Sequence, residues 1–171
     1  MLYQIIGCLS VKAAIKELID NREIKLKYPN DIYVVDNNGK YKKISGVLSE
    51  HSYSGNRCTE TILGIGVNVN QIKFDELYEK ATSLKLLGYE FEKDEIIEKL
   101  KVKLDAYLNS LERNVFNEWK NELNIIGKQV RIVNNNKIYK VISIDNNGTL
   151  NAKNDTEEIN INNGDSVIYD L

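Results

Sequence analysis

Histidine, cysteine and proline are scarce in this 171-residue chain, with one histidine, two cysteines and one proline. With His51 alone and no clustered cysteines, a Cys/His zinc site has too few ligands. A Ser-His-Asp arrangement would need His51, which lies among Ser49, Ser52, Tyr53, Ser54 and Gly55 in a stretch that reads as a solvated loop. Cys8 and Cys58 stand far apart in apolar surroundings without metal-ligand spacing, and read as buried free thiols of a reducing cytosol. No apolar run reaches transmembrane length. Lys12, Lys16 and Glu17 interrupt the N-terminal stretch too early for a signal peptide, so a cytoplasmic chain is expected. Lysine and glutamate are interspersed and sum to a net charge of −2, which predicts no nucleic-acid partner.

What remains is an ordinary globular composition. An apolar content of 42% argues against disorder, and the length suits one core or a main domain with a satellite. Leu2 to Asp20 reads as an amphipathic helix, with Leu2, Ile5, Ile6, Leu9, Ala13, Ile15, Leu18 and Ile19 on one broad face. Strand-like runs follow at Glu23–Lys27, Asp31–Asp36, Tyr41–Ser52 and Cys58–Asn68. Asn37-Asn38-Gly39 marks a hairpin turn between the second and third. Ile62–Val69 is nearly all apolar or glycine, which predicts a strand covered on both faces.

A helical stretch comes next. Phe74–Lys80 reads as a short helix, and Asp94–Leu111 as an amphipathic one carrying Ile96, Ile97, Leu100, Leu104, Tyr107, Leu108 and Leu111 on its apolar face. Phe116 and Trp119, three apart, are expected on one side of a last helix, plugging the core. From residue 126 the pattern changes to short strands, at Gln129–Val133, Lys137–Ile144, Thr149–Lys153, Glu157–Ile161 and Ser166–Tyr169, separated by asparagine-rich turns. That spacing predicts a small β-barrel. The expected class is α+β, with one unit over 1–125 and a second over 126–171.

Two short segments carry chemistry. In Lys27-Tyr28-Pro29-Asn30-Asp31 the sole proline forces Tyr28 towards an extended conformation and projects Lys27 from a strand end, with Asn30 and Asp31 at the turn. A lysine fixed this way can neutralise a carboxylate or phosphate; alone, it equally reads as an exposed strand-end lysine before a turn. In Gly64-Ile65-Gly66 two glycines within a strand mark either close approach of a ligand or tight packing by the first helix. They form no phosphate-binding fingerprint, since the third glycine and the following helix are missing. Asn68 either meets a nucleotide or caps the strand.

The combined layout resembles the biotin–protein ligases. Lys27-Tyr28-Pro29-Asn30-Asp31 is followed by Lys43-Ile44-Ser45-Gly46-Val47-Leu48-Ser49-Glu50, then Gly64 to Asn70, then Ala81-Thr82-Ser83-Leu84. The resemblance extends through the Trp119 region to Gly127-Lys128 and the Ile144–Leu150 strand, from about Ile5 to Val167. It implies a truncated mixed-sheet catalytic domain followed by an SH3-like barrel. It also implies use of ATP and Mg²⁺ to make biotinyl-adenylate, then transfer of biotin to a lysine of a carboxylase carrier domain. Lys27 matches the family's essential lysine. Asn30, Gly46, Leu48, Gly64 and Gly66 match pocket positions, and Asn68 matches the asparagine near the nucleotide. Lipoate ligases share the lysine logic, but the attached barrel and the spacing after Lys27 favour biotin.

Two departures qualify the resemblance. Ser45 stands where the family commonly has glycine. The family's Gly-Arg-Gly-x-x-Gly-Arg loop has no counterpart among the 171 residues, and neither has its N-terminal DNA-binding extension, so repressor activity is not expected. The expectation is the C-terminal two-thirds of a ligase, slow or inactive alone, exposing an unpaired strand edge or apolar face. It would be completed by an N-terminal chain or a homodimer. The alternative is a non-catalytic remnant that binds carrier protein or dimerises.

Overall fold

The computed structural model describes residues 1–19, 21–74, 80–164 and 167–171. Helix α1 (Leu2–Leu18) packs against both other helices and all four strands of the first sheet. Ile5, Ile6, Leu9, Val11, Ala14 and Ile15 are all buried, as expected of a helix enclosed on several sides. Each fully buried isoleucine or leucine contributes about 1.5–3 kcal/mol relative to exposure. Gly7 sets the approach distance: a Cβ there would lie 2.7 Å from Val47 Cγ1 and 3.3 Å from Leu63.

The first sheet is an antiparallel meander in the order β1 (Ile24–Lys27), β2 (Asp31–Val35), β3 (Tyr41–Ser54), β4 (Arg57–Val67). The only parallel pairing among the described residues is one isolated bridge, Lys43 to Ala81. The expected turn at Asn37–Gly39 is present. Asp36 Oδ1 accepts from the backbone N–H groups of Asn38 and Lys40 at 2.8 and 2.9 Å, and Gly39 takes the positive φ of +75° that the turn requires.

Helix α2 (Lys93–Leu108) and helix α3 (Glu112–Leu123) follow. Asn124, in the left-handed conformation, ends α3. Trp119 is fully buried, 6.4 Å from the Tyr28 ring and 5.7 Å from that of Phe116, so the expected plug is present. The C-terminal strands β5 (Gln129–Ile132), β6 (Ile138–Ile144), β7 (Leu150–Lys153), β8 (Glu158–Ile161) and β9 (Val167–Ile168) form an antiparallel sheet ordered β8-β7-β6-β5-β9. One hydrophobic cluster runs from α1 and the first sheet through Trp119 into Val130, Tyr139, Leu150 and Val167 of the second. Among the described residues no helix is long and apolar enough to cross a membrane.

Several expectations are corrected. His51 lies in β3, not a loop: its Nδ1 is 2.8 Å from Thr61 Oγ1 and its Nε2 3.3 Å from Ser49 Oγ. The alternation of the hairpin simply continues through the polar residues. Cys8 is buried as expected, but Cys58 is exposed, because the tip of that hairpin extends beyond the helices. Ile62–Val69 is not covered on both faces; β4 alternates exposed and half-buried positions, with Ile62 56% exposed. Helix α2 ends at Leu108, and Ile97, Leu108 and Leu111 are exposed, while Ile96, Leu100, Leu104 and Tyr107 join the core. Residues 75–79 of the expected Phe74–Lys80 helix, and Ser166 of the last expected strand, lie outside the described residues. Among the described residues β4 has no strand on its outer side, and Leu48 and Ile62 present the expected apolar face.

Candidate functional site

The sequence motifs meet in a single row across the first sheet. Lys27 pairs with Asp31, Asp31 with Gly46, and Gly46 with Gly66. Residues directly opposite in an antiparallel ladder point to the same face, so these four residues share one side of the sheet. Three strand spacings, about 14 Å, separate the two ends of the row. In the neighbouring row on that face Leu48 pairs with Gly64. The opposite face receives α1, through the contact of Gly7 with Val47 and Leu63.

The open face has a flat floor. A Cβ on Gly64 would meet nothing nearer than the Leu48 carbonyl oxygen at 3.7 Å, and one on Gly66 nothing nearer than the Gly46 oxygen at 3.8 Å. Packing among the described residues therefore does not require glycine at either position. This removes the reading in which helix packing accounts for them, and leaves a floor on which an external group can lie close to backbone. Leu48, 58% exposed, adds apolar surface beside it.

Charge collects at the other end of the row. Lys27 Nζ stands 5.2 Å from the Tyr33 ring centroid, and Lys43 Nζ pairs with Asp31 Oδ1 at 2.6 Å. Burial, and then the neighbouring Asp31 carboxylate, push the Tyr33 phenol above its ordinary pKa, keeping it neutral beside the lysine. A cavity of about 420 Å³ opens here, lined by Lys27, Asp31, Tyr33, Lys43 and Lys80, with Gly164 of the C-terminal sheet's loops on its far wall. A second cavity, about 520 Å³, lies on the helix side between β4 and α2 and is lined by Ile65, Val67, Ile96, Ile97 and Leu100. Its only charged lining residue among those described is Lys93, so the chemistry resides in the first.

Two predicted residues have their side chains committed elsewhere. Asn30 Nδ2 donates to the Val47 carbonyl at 2.7 Å, and Val47 N–H donates to the Asn30 carbonyl at 3.0 Å, fastening the Lys27 turn to β3. Asn68 Nδ2 donates to the Thr82 carbonyl at 3.0 Å, tying the end of β4 to the 81–84 segment. Both shape the site from its rim. Sequence reading missed the weight of Lys43, Gly164 and Tyr169. Lys43 reaches this face only because Ile44 is an extra residue in β3, which sequence pattern does not reveal; the other two are contacts across the whole chain, with no local signal.

A lysine-ended glycine floor, walled by a second sheet, is a site for a ligand with a flat body and an anionic end. Comparison with known proteins gives the class. Residues 2–68 match the model of the Biotin/lipoate A/B protein ligase family. The chain superposes on the apo biotin protein ligase of Aquifex aeolicus with TM-score 0.73 and 24% identity, over 94% of this chain and 72% of that one. The Aquifex aeolicus enzyme in complex with biotin and ATP gives TM-score 0.71 and 24% identity, over 98% and 70%. The Leishmania major biotin protein ligase in complex with biotinyl-5-AMP gives 0.53 and 16%, over 94% and 70%. The match over 2–68 includes the whole Lys27–Gly66 row, and the chain carries the biotin protein ligase fold.

Proposed function

We propose that this chain serves ATP-dependent biotin–protein ligation in the cytoplasm, making biotinyl-adenylate and passing biotin to a lysine of a carboxylase carrier domain. The observation that carries the reading is the single row of Lys27, Asp31, Gly46 and Gly66 with its open floor. Biotin is a compact bicycle with a near-planar ureido ring, on an aliphatic chain ending in a carboxylate, and the row offers a flat floor with cations at one end. The likeness to a ligase holding biotin and ATP supports biotin over lipoate. The C-terminal sheet, read as an SH3-like barrel over 126–171, would flank the nucleotide and meet the carrier.

In the first step a biotin carboxylate oxygen attacks the α-phosphorus of ATP, forming a P–O bond and releasing pyrophosphate. Lys27 holds the carboxylate against that phosphate and offsets charge that builds in the transition state. In the second, the carrier lysine's amine attacks the acyl carbon, AMP leaves with the bonding pair, and the amine proton passes to solvent. Mg²⁺ would enter with the nucleotide, held mainly by its phosphates, with Asp31 as the carboxylate on the row.

Calorimetry with a non-hydrolysable biotinyl-adenylate analogue tests the reading. The folded chain should bind it, and Lys27→Ala should weaken binding at least about tenfold, removing a charge-assisted contact, with circular dichroism unchanged. In turnover the same substitution should cost about 10²–10³-fold. A well-folded chain that does not bind the analogue, or an unaffected Lys27→Ala, overturns it.

A further inference from the structure

We propose that Tyr33 is the positioning residue of Lys27: its ring, in place of a carboxylate, holds the ammonium at the cavity and leaves the charge free for an anionic ligand. The first observation is which groups pair. Asp31 stands directly opposite Lys27 in the ladder, the ordinary place for a cross-strand ion pair. Its carboxylate is engaged instead by Lys43, at 2.6 Å. Among the described residues Lys27 forms no ion pair. Its ammonium lies 5.2 Å from the centre of the Tyr33 ring, within cation–π range.

The second observation is the register that makes this contact. Tyr33 is two residues beyond Asp31 on β2, so it shares the face of Lys27 and is its diagonal neighbour. An aromatic ring and a long side chain can bridge that separation. Directly opposite Tyr33 stand Lys25 on β1 and Lys43 on β3. Lys25 is drawn off to the Tyr41 ring at 4.3 Å and to Glu23 at 3.2 Å, and Lys43 to Asp31. Of these three lysines only Lys27 lies over the Tyr33 ring. The third observation is that Lys27 and Tyr33 both line the 420 Å³ cavity, so the contact ends at the space a ligand would enter. A carboxylate partner would cancel the charge and compete with the ligand for the ammonium hydrogens. A ring face orients the ammonium without cancelling it, and the hydrogens that point away from the ring remain donors.

The role rests on the ligase reading for the ligand used, but one of its two tests needs no ligand. NMR of the free, lysine-labelled chain, with Lys27 assigned by its loss in Lys27→Ala, reads the ring directly. The Lys27 ε-methylene protons should be shifted upfield in wild type and in Tyr33→Phe, and should return to the ordinary lysine position in Tyr33→Ile. Calorimetry with the biotinyl-adenylate analogue reads the consequence. Tyr33→Phe should keep most of the affinity. Tyr33→Ile, an apolar and strand-favouring replacement, should lose about three- to thirtyfold. Made in the Lys27→Ala background, the same exchange should cost nothing further, since a positioning residue acts through the residue it positions. The inference is overturned if Lys27 shows no upfield shift in wild type, or if Tyr33→Ile binds as tightly as wild type. It is equally overturned if Tyr33→Ile weakens binding as much without Lys27 as with it, which would make Tyr33 a direct ligand contact or a packing residue. An upfield-shifted Lys27 in a wild type that binds no analogue would count against biotin ligation and leave the hold of Tyr33 on Lys27 standing.

Discussion

The backbone N–H of Tyr28 donates to the Tyr169 hydroxyl oxygen at 2.7 Å, across 141 positions of chain. The Tyr28 hydroxyl in turn donates to the Ile161 carbonyl at 3.1 Å. Burial, then the Asp145 carboxylate, push the Tyr28 phenol up to about 12, so it remains a donor at any working pH. Gly164 completes the contact: a Cβ there would overlap Pro29 Cδ and lie 2.8 Å from the Tyr28 backbone carbonyl oxygen. The C-terminal sheet therefore grips the turn that aims Lys27.

Tyr169→Phe should expose the value of that grip. It leaves the Tyr28 N–H buried without its partner, which costs about 1–3 kcal/mol. Urea unfolding should show a lower midpoint at unchanged slope. Analogue binding should fall as well, because Lys27 is the next residue along. Unchanged stability would mean that the two sheets are held together by the shared core alone.

The glycines should separate by face. Gly66→Val adds a branched side chain to open floor on a strand that favours one, so stability should hold within about 1 kcal/mol. Binding of the biotinyl-adenylate analogue should drop at least about tenfold, since the floor is no longer flat. Gly7→Val is the converse, forcing atoms into Val47 and Leu63 and costing about 1–3 kcal/mol by overpacking. Thermal melts beside calorimetry check both. If Gly66→Val destabilises as Gly7→Val does, the floor is a packing surface and not a ligand surface.

The row itself was legible from residue types. Lysine before a proline turn, glycine in mid-strand and an apolar run beside it each have a local cause, and antiparallel pairing brings them together. Strand positions in the first sheet were legible for the same reason, since alternation and the Asn-Gly turn are short-range signals. What escaped was set at long range. Parity of β3 depends on one extra residue at Ile44, and a bulge is invisible to a pattern that tolerates one mismatch. The exposure of Cys58 follows from how far a hairpin extends past the helices, which no window of sequence contains. The commitment of Asn30 and Asn68 to carbonyls of Val47 and Thr82 depends on which strand end lies beside which. An asparagine beside a site looks the same whether it faces the ligand or the frame.

The two cysteines should behave as opposites. Cys58 is exposed, while burial, then the Asp31 carboxylate, push the Cys8 thiol up to about 12. Alkylation of the native chain at neutral pH should modify Cys58 promptly and reach Cys8 only on unfolding, since the thiolate is the reactive form. The same shift gives a pH dependence. The folded thiol ionises near 12 and the unfolded one near 9, so between those values only the unfolded chain loses the proton. Unfolding is then favoured as pH rises, by at most about 1.4 kcal/mol per pH unit for one group. Below pH 9 the contribution is fully present and the profile should be flat with respect to this residue. Cys8→Ala should lower stability slightly, through the small cavity it leaves, and should shallow the alkaline fall above pH 9. An alkaline slope identical in Cys8→Ala and wild type would assign that fall to the buried tyrosines instead.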